Sequence, residues 1–254
     1  MPESQDNIER NDIMQKAKRQ VLYIWLVLVI ISLGFLFLFD RMSPRMMLIL
    51  EAKNPRTFSE QAAQYTREGN YEQAITAMQH AISILPADES FQVQLGDIYE
   101  QKGEFEKAVT AFQKAGENKP DDWKPWFRIG VVQRKMKQLP NAVQNLQKAE
   151  KLTQDERWVY NELGWAAYEN HQYEIALNAF IQAARLEPNS SMYPLMQGTI
   201  FSQQGQWAQA KPCFDAAIAL DSSKIELYKA AIDAAQKAGD KSAVAYYQSI
   251  LPRK

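Results

Sequence analysis

The residues of this chain whose types could do chemistry are two histidines, His80 and His171, one cysteine, Cys213, and carboxylates such as Asp97, Glu104 and Glu106. A nucleophile needs a base and an orienting group within hydrogen-bond reach, and a zinc site needs three or four ligands in a tight pattern. His80 is expected on an exposed helix face and His171 in a turn, so neither builds a triad or a metal site. Cys213 adjoins Phe214 and reads as a small core residue with no neighbouring base to raise its thiolate fraction. The carboxylates are spread over helices and turns and read as solvated surface, and no glycine-rich phosphate loop is present. The chain is therefore expected to be no enzyme, with no cofactor and no metal, and function has to come from binding.

Bulk properties narrow what is bound. The chain has 254 residues, a net charge of −1, 23% charged and 46% hydrophobic residues, which is the range of a folded globular protein. Near-neutral charge gives no footprint for nucleic acid. A single cysteine rules out an internal disulfide and fits a reducing compartment.

Beyond a short N-terminal tail, 1–20, residues 21–39 read VLYIWLVLVIISLGFLFLF without a charge. As a helix this stretch rises about 28 Å, close to the roughly 30 Å of a bilayer core. Tyr23 and Trp25 stand near one end, where interfacial aromatics belong. The run is longer than a signal-peptide core and no small-x-small cleavage pattern follows it, so a retained single transmembrane helix is expected. Arg10, Lys16, Lys18 and Arg19 precede the span, and Arg41, Arg45 and Lys53 follow it. This balance places the N-terminus in the cytoplasm and the larger domain outside, as at a bacterial inner membrane. Residues 40–54 form a juxtamembrane linker or short helix. Within it 42–52, MSPRMMLILEA, reads as packing on the domain that follows rather than as a membrane-surface helix, being a run rather than a stripe.

The rest of the chain is periodic. Gly96, Gly130, Gly164 and Gly198 are 34 residues apart, and so are Ala74, Ala108, Ala142, Ala176 and Ala210, and Ala81, Ala115, Ala149, Ala183 and Ala217. Pro86, Pro120 and Pro188 keep the phase, as does the bulky series Met78, Phe112, Leu146, Phe180 and Phe214. A period of 34 residues with this pattern resembles the tetratricopeptide repeat (TPR) family. Copies are expected at 55–88, 89–122, 123–156, 157–190 and 191–224, with a shorter sixth at 225–254.

The resemblance implies an all-α fold, a right-handed superhelical solenoid of helix pairs following the transmembrane helix. Each copy would be helix A, a turn and helix B. Gly96 would lie where helix A meets helix B, with Ala108 and Ala115 serving the same contact. Gly103 would end helix A in a left-handed conformation, matched by Gly69, Gly205 and Gly239, while Lys137 and His171 take that place in copies three and four. Asp88, Asp121, Asp122, Ser190 and Ser223 lie where the next helix A needs an N-cap. Pro212 reads either as a first-turn proline or as one that interrupts the helix.

In the family the concave face is built from fixed positions of helix A. Carried over, these give an apolar strip of Phe127, Val131, Trp158, Trp165, Met192 and Leu195, with Asn161 among them, rimmed by Lys124, Arg128, Arg134 and Lys135. Core packing accounts readily for Tyr168, which is ordinary at its position, and less readily for Trp165, where the family has a small or polar residue. Lys124 and Arg128 match part of the clamp by which some members hold a chaperone tail, but Ser59, Ala63 and Gln94 do not match the rest, so no such receptor is expected. The reading is a membrane-anchored TPR adaptor or scaffold that binds a protein segment in its groove and assists assembly, folding or export at the same membrane. Its alternatives are a non-catalytic accessory subunit of a membrane enzyme complex and a self-associating platform.

Overall fold

Twelve α-helices occupy the residues from Pro55 onwards, arranged as six antiparallel pairs. The computed structural model describes residues 54–153 and 155–252, together with Val21, Ile24, Trp25 and Leu28, which are helical. The rest of the expected span 21–39 and the linker up to residue 53 lie outside the described residues. Among the described residues no helix is long and apolar enough to cross a membrane, and none lies in a strand. Contacts divide the chain into the units Met1–Thr57 and Phe58–Lys254, and the repeats belong to the second.

The pairs are α1 (Pro55–Arg67) with α2 (Tyr71–Ile84), α3 (Glu89–Lys102) with α4 (Phe105–Asn118), and α5 (Trp123–Lys135) with α6 (Leu139–Leu152). Then follow α7 (Arg157–Glu169) with α8 (Tyr173–Leu186), α9 (Met192–Gln203) with α10 (Trp207–Leu220), and α11 (Ile225–Lys237) with α12 (Lys241–Ser249). Each pair packs on the next in chain order. The first helices of neighbouring pairs also touch directly, α5 with α7 and α9 with α11, whereas the second helices of neighbouring pairs approach less closely. That spacing puts the first helices on the inner side of the stack.

A single turn geometry joins all six pairs. The first residue after each turn donates its N–H back across the helix end: Asn70 to Tyr65 and Glu104 to Tyr99 at 2.8 Å, Gln138 to Gln133 at 2.9 Å. Gln172 to Ala167 and Gln206 to Phe201 at 2.8 Å, and Asp240 to Ala235 at 2.9 Å, complete the set. This bond needs one left-handed residue just before it. Gly103 supplies it with φ +85°, and Lys137 and His171 are forced to it with φ +59° and +57°.

Where paired helices cross, the small residues are required by contact. A Cβ on Gly96 would sit 2.5 Å from Phe112 Cε1, and on Gly164 2.6 Å from Phe180 Cε1, closer than atoms can approach. In the first pair Ala62 holds this place and the large residue of the same cluster is Met78, whose flexible chain makes room for a methyl group. Both alanine series are fully buried against these crossings.

Several local expectations need correction. Asp88 and Asp122 do cap their helices, accepting from Ser90 N at 2.9 Å and Lys124 N at 3.0 Å. Ser190 and Ser223 do not: Ser191 leads α9 and Lys224 leads α11, neither with a side-chain cap. Before α11, Asp221 takes Ser223 N at 3.2 Å and the Lys224 ammonium at 3.0 Å, so its carboxylate organises the turn instead. Pro212 lies inside α10, beyond its first turn, and leaves the Ala208 carbonyl without its intrahelical donor. Cys213 is half-buried rather than in the core, because Ala210, Phe214 and Ala217 take the inward face of α10. Its Sγ lies 3.3 Å from the Gln209 carbonyl oxygen, and burial pushes the thiol pKa up.

Candidate protein-binding groove

The first helices place the predicted strip on one side of the stack, but not evenly. Trp158, at the second position of α7, is 52% exposed. The Arg157 guanidinium lies over its ring, 4.0 Å from the centroid, and is itself held by Glu187 at 2.5 Å. Trp165, two turns on, is half-buried: it meets Phe180 edge-on at 5.7 Å and Tyr168 at 6.2 Å. Phe127, Trp165 and Met192 pack against one continuous core, while Leu195 packs against the next. Val131 and Asn161 are half-buried. The Asn161 Oδ1 is sealed from solvent with no hydrogen-bond partner among the described residues. The strip is thus a half-buried apolar floor from which Trp158 projects.

The basic rim is largely paired. Arg128 bonds Asp97, and bonds Glu100 at 2.8 Å; Lys135 also reaches Glu100, at 2.5 Å. Arg134 bridges Glu162 at 3.0 Å and Glu169 at 2.7 Å, and Lys137 joins Glu169 at 2.8 Å. Lys124 is exposed. These bonds tie α5 to α3 on one side and to α7 on the other. The repeat spacing causes this, since it sets residues about one period apart side by side on neighbouring first helices. Asp97, Glu100 and Glu169 share this face with the cations, and their opposite signs at positions about one period apart are the sequence signal for the pairing. Glu162 was missed because it is not one of the family's groove positions.

The acids respond differently to their sites. Burial pushes Asp97 above its ordinary value, and the Arg128 charge only partly offsets it. Burial also pushes Glu169 up, but hydrogen bonds from Lys137 and Arg134 outweigh it and hold the carboxyl below its ordinary value.

Towards the N-terminal end the groove deepens into a hollow of about 290 Å³ beside α1 and α3, of mixed character, lined by Thr66, Arg67, Met78, Gln94, Asp97 and Ile98 among others. Ser59 Oγ donates to Gln94 Oε1 at 2.6 Å beside it. Among the described residues no group of three or more His, Cys, Asp or Glu could hold a metal ion. His80 lies against Phe58, and His171 Nδ1 is 3.2 Å from the Tyr173 hydroxyl, so the two histidines belong to separate local contacts. The arrangement offers shape, apolar surface and hydrogen bonds.

Comparison with known proteins agrees with this geometry. Residues 65–128 and 195–254 each match a model of the tetratricopeptide repeat. No curated protein matches the chain in sequence. Among solved structures, the C-terminal part of a TPR repeat-containing protein from Cytophaga hutchinsonii is similar, with a TM-score of 0.69 at 20% identity over 82% of this chain and 86% of that one. MamA gives a TM-score of 0.62 at 16% identity, covering 69% of this chain and 96% of its own. YrrB, described as a TPR protein with an unusual peptide-binding site, gives 0.62 at 17% identity, covering 74% and 97%. At these identities the likeness is one of fold. Repeat matches at both ends of the helical region and the pair-by-pair stack between them make this chain a member of the tetratricopeptide repeat family, folded as an all-helical solenoid.

Proposed function

We propose that the chain is a membrane-anchored, non-catalytic adaptor that holds a segment of a partner protein along the inner face of its first helices. The observation that carries this reading is Trp158. It is half exposed above an apolar floor of Phe127, Trp165 and Met192, stacked under a guanidinium that is itself anchored. A large aromatic side chain held in one orientation at the edge of an apolar surface is the usual anchor of a protein interface. Since the rim cations are mostly paired, the groove selects by apolar fit and hydrogen bonding more than by charge. A partner segment offering apolar side chains to Trp158 and backbone donors to the floor fits best. The peptide-binding site of YrrB, which shares this fold, supports the same use of it.

The charge-free stretch 21–39 supplies the anchor in this reading, with the N-terminus in the cytoplasm, the repeats on the far side of a bacterial inner membrane, and a role in assembly, folding or export there. Photo-crosslinking in intact cells tests it, with a crosslinking residue in place of Trp158. A single dominant protein adduct, competed away by excess partner segment, is expected. Adducts only from Met47 or the apolar stretch, and none from position 158, would overturn the groove reading. Protease access to the repeats in spheroplasts checks the orientation; digestion only after lysis would overturn it.

A further inference from the structure

One register position recurs on the side of the first helices turned away from the groove. It is aromatic in four of the six pairs: Phe58, Trp126, Tyr160 and Tyr228. The second pair has Gln92 there, and the fifth has Pro194. Opposite it, on the second helix, stands another register position, occupied in the first three pairs by His80, Lys114 and Lys148. In the first pair the His80 ring lies 5.4 Å from the Phe58 ring. In the third pair Lys148 Nζ lies 3.0 Å from the centroid of the Trp126 ring, and Gly116 of the preceding pair makes room for the indole. In the third pair a slot between successive second helices thus takes an aromatic ring under a lysine cap.

In the second pair the cap is present and the ring is missing. Lys114 stands in register on α4, but Gln92 leaves a cavity of about 380 Å³ between α2 and α4, floored by α3. Its apolar walls are Ile82, Leu95, Tyr99 and Ala111. Gln92 itself is only 8% exposed, and its side-chain amide has no hydrogen-bond partner among the described residues. The amide lines the cavity, where a guest can bond it directly. Lys107, at the rim, is shared with Glu104 and Tyr99. Lys114 is exposed, with no carboxylate partner among the described residues.

We propose that this slot is a second binding site, separate from the groove, which takes a tryptophan side chain from a partner protein segment carrying acidic residues beside it. The third pair shows what the space fits: an indole beneath a lysine. The guest ring packs on Ile82, Leu95 and Tyr99 and receives the Lys114 ammonium over its face. Its indole N–H donates to the Gln92 carbonyl oxygen, which the internal Trp126 cannot match, since its own Nε1 is buried without a partner. Ile82 stands in the register of Gly116, so the guest rests shallower than Trp126 and leaves neighbouring carboxylates within reach of Lys114 and Lys107. The site is independent of the groove reading, because α3 turns Asp97 and Gln101 to the groove and Gln92 and Leu95 to the slot.

Fluorescence anisotropy with the full-length chain tests the proposal. The probes are a fluorescein-labelled peptide with tryptophan flanked by acidic residues on both sides, and the same peptide with alanine for tryptophan. Saturable binding with a Kd of roughly 10–500 μM is expected, at least about fivefold weaker for the alanine peptide. Gln92→Trp fills the slot from inside and is expected to abolish binding. Because Ile82 stands where Gly116 makes room for Trp126, the new ring takes the shallow seat of the guest, and the urea midpoint checks that the chain still folds. Lys114→Glu, a change at an exposed side chain, gives a comparable loss without touching the core, and Trp158→Ala gives none. Equal binding of the two peptides, binding undiminished in Gln92→Trp, or no binding at all would overturn the proposal. So would a concentration-dependent mass abolished by Gln92→Trp, since the occupant would then be a second copy of the chain.

Discussion

Trp158 and Trp165 stand two turns apart on α7, yet Trp158 lies exposed beneath Arg157 while Trp165 meets the buried Phe180 edge-on at 5.7 Å. One face of one helix thus carries an anchor free to engage a partner and a second aromatic already engaged with the core. The pair separates binding from folding. Trp158→Ala is expected to weaken partner capture at least tenfold with a change in stability under about 0.5 kcal/mol. Trp165→Ala is expected to cost about 2 kcal/mol, less than a fully buried aromatic because part of its surface is already wet. Urea denaturation alongside a capture assay checks both; equal stability losses would show that Trp158 is a packing residue.

The glycine crossings predict a compensating pair. Gly164→Ala puts a methyl group 2.6 Å from Phe180 Cε1 and is expected to destabilise by about 1–3 kcal/mol. Adding Phe180→Met reproduces the Ala62 and Met78 arrangement of the first pair. The double variant is expected to be less destabilised than the sum of the two single changes, a coupling of about 1 kcal/mol in a double-mutant cycle. Simple additivity would mean that backbone movement, not the ring, absorbs the methyl group.

The left-handed turns offer a stabilising change. His171 holds φ +57° with a side chain whose contacts are to Tyr173, 3.2 Å to its hydroxyl and edge-on to its ring. His171→Gly removes the steric cost and is expected to raise stability by about 0.5–1 kcal/mol. Lys137→Gly, at φ +59°, is expected to gain less, because it also deletes the Lys137 bond to Glu169. Chemical denaturation of the two variants side by side decides; a loss in His171→Gly would place the imidazole in a structural role.

The ion pairs between first helices set a pH dependence. Glu169 is held below its ordinary value of 4.5 in the folded chain, so its contribution is complete above that pH and is lost as pH falls through the lower folded value. Asp97, raised above 3.8 by burial, works in the opposite sense: its contribution is complete below its ordinary value and fades as pH rises through the folded one. Arg134→Met removes the bridge to Glu162 and Glu169 and is expected to flatten the acid limb of the Glu169 contribution. Stability measured from pH 3 to 7 in wild type and variant checks this; parallel curves would show that Lys137 alone holds the carboxyl down.

Much of this architecture was legible in the chain itself, because a repeat states its contacts over and over. The phase of Gly96, Gly130, Gly164 and Gly198 against Phe112, Leu146, Phe180 and Phe214 marks a contact that recurs whatever lies on either side. The left-handed positions of Lys137 and His171 followed from the same phase, since the turn bond demands that conformation of any residue placed there. The start of α11 at Lys224 keeps the 34-residue phase of Asp88, Asp122 and Glu156, and only the start of α9, at Ser191, departs from it by one residue. Ser223 is no cap because it lies one residue ahead of that phase, where Asp221 takes its N–H.

What the sequence by itself determined is the family, the pairing of helices and the face that forms the groove, since each depends on contacts repeated within one period. Only the tertiary structure decided how the rim cations are spent, that Trp165 is engaged and Trp158 free, and that the space over Gln92 is open beneath Lys114. Those outcomes depend on residues from neighbouring repeats meeting across a distance of one period. Whether such neighbours pair, stack or leave a gap is settled by packing between helices, which no single copy of the repeat encodes.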